Sequence, residues 1–185
     1  MSHTNTLNSS DCALLIIDHQ EGFRPIMSDF AEIAYNIAIV AQAAKILELP
    51  ILVTEQYPKG LGHTAPEITA VLPPHLSVIE KTAFSSCMAN CFLEQLEHLG
   101  TKQILVCGIE AHICVNQTTH DLLANGYQAH LLIDCITSRF PHNKQIGIEK
   151  MKMSGAIPSS IEMALFELMR DAKHEHFKAI QRLIK

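Results

Sequence analysis

The chain has 185 residues, 48% apolar and 18% charged, with a formal charge of −5. That length suits one domain with a full core, and the apolar content excludes a disordered chain. The acidic balance, without a basic cluster, makes nucleic acid and anionic membranes poor partners.

Residues 1–11 are polar and lack a signal-peptide core, so they are expected to form a flexible tail before a single domain over 12–185. Cys12–Ile17 is the first strand. Ile33–Leu47 carries the apolar stripe of a helix, and Pro50 introduces a second strand, Ile51–Thr54. A Gly/Pro-punctuated loop, Tyr57–Pro66, leads to a helical turn ending at Pro73-Pro74. Ser77–Glu80 is a short third strand, and Ser85 or Ser86 caps a helix that runs to Leu99 and stops at Gly100. Gln103–Cys107 is the fourth strand, Ile113–Asn125 a helix stopped by Gly126, and Gln128–Ile133 the fifth strand. A helix over Asn143–Ser154 ends at Gly155. Ala156–Pro158 is a sixth strand, Glu162–Arg170 a helix capped by Ser159 or Ser160, and His174–Ile184 an amphipathic terminal helix.

Strands buried on both faces and separated by helices predict an α/β protein, a three-layer α/β/α Rossmann-like fold around a parallel sheet. No apolar run approaches the ~20 residues of a membrane span. Cys12, Cys107 and Cys135 lie inside apolar runs, which reads as reduced, buried cysteine and a cytoplasmic protein. No GxGxxG follows the first strand, where Asp18-His-Gln-Glu-Gly22 stands instead, so a dinucleotide site is not expected.

Cys114 is the cysteine with a reason to react. It follows a strand and a short turn, where a helix begins, and the positive end of that helix favours thiolate. Asp18 and Lys81 close the first and third strands, and in a doubly wound sheet they face the same carboxyl edge. Read alone, Asp18 is equally a turn or cap residue, and Lys81 a solvated strand end.

Taken together, Asp18-x-Gln20-x-x-Phe23, Lys81-Thr-x-Phe84-Ser85 and Gly108-Ile-Glu-Ala-His-Ile-Cys114-Val resemble the isochorismatase-like cysteine hydrolase family in order and spacing. The likeness extends over residues 12–172. Gln56-Tyr-Pro-Lys-Gly-Leu-Gly62, Asp134-x-x-x-Ser138-Arg139 and Gly155-Ala-Ile are similar to its subgroup of isochorismatase domain-containing proteins. The resemblance implies six parallel strands in the order 3-2-1-4-5-6 and a catalytic triad of Asp18, Lys81 and Cys114. It also implies a cis peptide at Ile109–Glu110 and an oxyanion hole formed by the backbone N–H groups of Glu110 and Cys114. Gln20, Phe23, Phe84, Ile109, His112 and Ile113 become substrate-pocket candidates, although Phe23 and Phe84 read equally well as core. A homo-oligomer is implied too.

A free thiol and a free aspartate differ enough that moving the proton between them costs about 6 kcal/mol. The site must narrow that gap through burial, the helix terminus and a Lys81 placed nearer the sulfur than the carboxylate. Where the nicotinamidase branch carries an Asp-x-His…His metal cluster, this chain has Thr54-Glu-Gln56-Tyr-Pro-Lys and then His63, so no metal or other cofactor is expected. The siderophore-type isochorismatases lack the cysteine, which argues against isochorismate as substrate.

The expected activity is therefore metal-independent cysteine hydrolysis of a small amide, ureide or related C–N substrate through a thioester-type intermediate. The alternatives are a non-catalytic binding module, or redox chemistry at Cys114. His112 is two residues from Cys114, a separation that points the side chains apart and disfavours a Cys–His pair. Cys87 and Cys91, four apart, are expected on one face of a helix as small buried residues.

Overall fold

The computed structural model describes residues 3–185. Strand β1 (Cys12–Ile17) has no polar side chain and no exposed residue, and such a strand is stable only when covered on both faces. It lies at the centre of one parallel sheet with β2 (Ile51–Gln56), β3 (Val78–Lys81), β4 (Gln103–Gly108), β5 (Gln128–Ile136) and β6 (Ile157–Ser159). The order is β3-β2-β1-β4-β5-β6, as the family resemblance implies.

Alternate β1 residues feed two cores. Cys12, Leu14 and Ile16 pack under α1 (Phe30–Ile46), α7 (Ile161–Met169) and α8 (Phe177–Leu183). Ala13, Leu15 and Ile17 pack under α4 (Phe92–Leu99), α5 (Asn116–Ala124) and α6 (Pro141–Met153). A one-turn helix, α2 (Pro58–Leu61), interrupts the segment read as a loop, and a second, α3 (Pro66–Thr69), supplies the helical turn expected before Pro73-Pro74.

Three local readings change. The expected flexible tail is docked from Leu7 onward. Leu7 is fully buried, its N–H donates to Glu167 and its carbonyl accepts from Arg170, residues more than 150 positions away. The helix expected from Ser85 to Leu99 is split into a 3-10 turn, Ser86–Met88, and α4, because Cys91 takes a left-handed conformation with φ 66°. Cys87 is therefore buried and Cys91 exposed, and they share no helix face. All six cysteines are free thiols.

The sheet reverses its winding at β1, with β2 on one side and β4 on the other. Gly108 ends β4 with φ 120°, and a Cβ there would stand 2.0 Å from the Ile17 carbonyl oxygen. Only glycine lets the two strand ends approach so closely. This contact brings the residue after β1 beside the turn after β4.

Candidate active site

Asp18 follows β1 in a left-handed conformation (φ 51°) and is 1% exposed. Its Oδ1 accepts from Thr54 Oγ1 at 2.7 Å and its Oδ2 from Lys81 Nζ at 2.6 Å. Lys81 arrives from the end of β3, in register with Gln56 on β2. Its ammonium also donates to Gln56 Oε1 (2.8 Å) and the carbonyls of Phe84 (3.1 Å) and Ala83 (3.2 Å). Three N–H groups thus face four acceptors, and the side chain is wholly buried. The expected place of Lys81, nearer the sulfur than the carboxylate, is corrected: its shortest bond is to Asp18, which a desolvated cation needs as counter-charge.

Between β4 and α5 the chain passes through a cis Ile109–Glu110 peptide and a wide π-type turn, Ala111–Val115. The helix dipole therefore meets Cys114 from inside this turn, because α5 proper begins at Asn116. Cys114 is 7% exposed, and burial pushes its thiol up to about 12. The Asp18 charge adds to the rise, while Lys81 and the Glu110 backbone oppose it. The pull of the helix end toward thiolate is thus outweighed by desolvation, and the resting sulfur is a neutral thiol. Gly147 of α6 packs against this turn; a Cβ there would meet the Ala111 carbonyl at 2.8 Å.

The six pocket candidates do not line one cavity. Ile109 is fully buried in the core, because the β4 end packs inward. Gln20 is also fully buried and works as a brace. Its Nε2 donates to the carbonyls of Gln56 (3.0 Å) and Gly62 (2.7 Å), and its Oε1 accepts the Gln56 N–H. Phe23 and Ile113 are half-buried, one against each core. Phe84 is exposed, and its carbonyl serves Lys81. The His112 ring bonds Ser138 Oγ through Nδ1 and Asn143 through Nε2, so it has no part in a Cys–His pair. The Glu110 carboxylate accepts from Arg139 at 2.9 Å. A cavity of about 430 Å³ opens beside Lys81, walled by Tyr57, Lys59, Glu80, Met88 and Asn90, and includes none of the six.

Thr54 and Gln56 are the site residues that sequence reasoning missed. The signal was present: a polar Thr closing the apolar run Ile51-Leu-Val, in an otherwise buried strand. Where the metal cluster of the nicotinamidase branch would fall, Glu55 instead accepts from Thr64 N–H (2.6 Å) and Oγ1 (2.7 Å) and meets His63 at 3.0 Å. Among the described residues, no three His, Cys, Asp or Glu side chains are grouped so as to hold a metal ion. Among the described residues, no helix is long and apolar enough to cross a membrane.

A family model described as the isochorismatase domain matches residues 12–163. Isochorismatase domain-containing protein 2 of Danio rerio is 38% identical over 186 residues, covering 100% of this chain and 92% of the relative. Among solved structures, the MAR1 ribonuclease of Caenorhabditis elegans superposes with a TM-score of 0.92 at 36% identity, covering 97% of this chain and 92% of that one. The YcaC gene product of Escherichia coli, an octameric hydrolase of unknown specificity, gives a TM-score of 0.87 at 20% identity, covering 100% and 97%.

Proposed function

The chain belongs to the isochorismatase family, and within it we propose that this protein is a cysteine hydrolase that cleaves a small amide, ureide or related C–N bond without a metal. The observation that supports this reading is the Asp18 carboxylate, ion-paired to buried Lys81 and near enough to the buried Cys114 for its charge to raise the thiol.

A thiol at about 12 is only roughly one part in 10⁵ thiolate at pH 7. Attack therefore needs a base at the moment of reaction, and Asp18 supplies it. Cys114 Sγ bonds to the substrate carbon while its proton passes to Asp18. The oxyanion rests on the N–H groups of Glu110 and Cys114. Collapse breaks the C–N bond as Asp18 returns the proton to the leaving nitrogen, which leaves a thioester. Water then attacks, Asp18 takes its proton, and the departing sulfur recovers that proton from Asp18. Lys81 spends its N–H groups on Asp18, Gln56 and two carbonyls. Its role is to keep Asp18 ionised and fixed while the proton moves.

Screening small neutral amides and ureides for ammonia release tests the reading, with Cys114→Ala as control. Equal release by the variant would remove the scheme. A ribonuclease reading is raised by the name of the C. elegans neighbour. It is disfavoured by 14 Lys and Arg against 19 Asp and Glu, because a polyanion needs a basic surface. RNA cleavage lost in Cys114→Ala would install it instead.

The exposed side chains of Tyr57 and Met88 on the wall of the Lys81 cavity, with the octameric assembly of YcaC, support a homo-oligomer. Six free thiols support a reducing, cytoplasmic setting.

A further inference from the structure

The Asp18–Lys81 pair is held by two residues of β2 that point the same way. Side chains two apart along a strand share a face, and Thr54 and Gln56 use that face on opposite members of the pair. Thr54 Oγ1 donates to Asp18 Oδ1 at 2.7 Å, and Gln56 Oε1 accepts from Lys81 Nζ at 2.8 Å. Gln56 is itself fixed at three more points. Its Nε2 donates to the Thr82 carbonyl at 2.7 Å, and its main-chain N–H and carbonyl are both taken by the Gln20 amide.

Thr54 is fully buried, so its hydroxyl has no water to fall back on. Its backbone carbonyl also accepts the Asp18 N–H at 3.1 Å. The carboxylate therefore receives one donor on each oxygen and cannot rotate about its own axis without losing one.

We infer that Thr54 and Gln56 are positioning residues that set the Asp18 carboxylate and Lys81 ammonium in the orientation needed to receive the Cys114 proton. The inference rests on the base role given to Asp18 above. It goes further by assigning the orientation to two β2 side chains that touch neither substrate nor sulfur.

A pair of opposed substitutions tests it. Thr54→Val keeps the shape and deletes the hydroxyl, whereas Thr54→Ser keeps the hydroxyl and deletes a methyl group. The readout is the rate of Cys114 alkylation by iodoacetamide at pH 7, resolved from the other cysteines by peptide mass spectrometry, on protein whose melting transition is intact. Thr54→Val should slow the reaction about tenfold or more, because a hydrogen bond to a charged group is lost. Thr54→Ser should slow it less than Thr54→Val. The reverse order would mean that packing, not the hydroxyl, matters, and would overturn the inference, as would a Val variant as fast as the parent.

If Thr54→Val does not fold, Gln56→Glu serves. A second carboxylate beside Lys81 should draw the ammonium from Asp18 and slow alkylation, and an unchanged rate again overturns the inference. Asp18→Asn separates the two levels. Should it alkylate like the parent at every pH, the base role itself fails; should it differ while the β2 variants do not, only the positioning role fails.

Discussion

Lys81 Nζ lies 2.6 Å from Asp18 Oδ2, with both side chains sealed from solvent. Each charge is the other's main compensation, so neither can be removed cheaply. Lys81→Met leaves a buried carboxylate with only the Thr54 hydroxyl as a side-chain donor, at a cost of about 3–5 kcal/mol. For a chain of this size that is a drop of roughly 10 °C in melting temperature. A thermal melt within about 2 °C of the parent, the shift that roughly 1 kcal/mol produces, would contradict the description of the pair.

The proton acceptor also helps to keep the proton in place, because the Asp18 charge raises the Cys114 thiol. Asp18→Asn removes that cause and should lower the thiol below about 12 while abolishing turnover. The rate law should change as well. The parent should alkylate at a rate that does not depend on pH around neutrality, because the proton only moves between two side chains. The Asn variant should gain about tenfold per pH unit, the law for reaction through a free thiolate. Stopped-flow alkylation across pH 6 to 9 distinguishes the two slopes.

Gly147 lets α6 press on the nucleophile's turn, with the Ala111 carbonyl 2.8 Å from where a Cβ would stand. The obstacle is backbone, which cannot swing aside. Gly147→Ala should cost about 1–3 kcal/mol from overpacking and slow Cys114 alkylation by displacing the turn. Urea unfolding measures the first effect, and an unchanged midpoint would show that the turn gives way freely.

His19, next to Asp18, is buried and stacked on Phe30 with ring centroids 4.2 Å apart. Desolvation lowers its value from 6.5 to about 4. The unfolded chain therefore binds this proton first as pH falls. Stability contributed by the neutral ring is whole above 6.5 and is lost progressively down to about 4, to a total of about 3 kcal/mol. His19→Phe should flatten melting temperature against pH across that window. A parent curve already flat there would refute the assignment.

The sheet was legible because every strand except β3 and β6 is an apolar run bounded by turn residues, and the strand ends carried the Asp, Lys and Cys motifs. The rest depended on contacts between distant segments. Leu7 reads as tail until Glu167 and Arg170 arrive from α7 and its end. Lys81 pairs with Asp18 because the chain after β3 turns back and offers the Ala83 and Phe84 carbonyls. No local pattern announces that turn. Gln20 belonged to a recognised motif, yet its role as a bracket on Gln56 appears only when β1 and β2 lie side by side. The charge state of Cys114 was hidden for the same reason: helix dipoles can be read from sequence, whereas desolvation depends on the whole fold.

Storing Cys114 as a neutral thiol has a chemical consequence of its own. Peroxides and stray electrophiles attack thiolates, so an idle enzyme of this kind is nearly inert to them. The exposed Cys91 and not the nucleophile is then the first sulfur to be damaged in an oxidising challenge. In the proposed scheme, reactivity is released only to a compound that can lie against the sulfur and let Asp18 take the proton in the same event. Burial thus acts as a safety catch, and selectivity resides in the trigger as much as in the shape of the pocket.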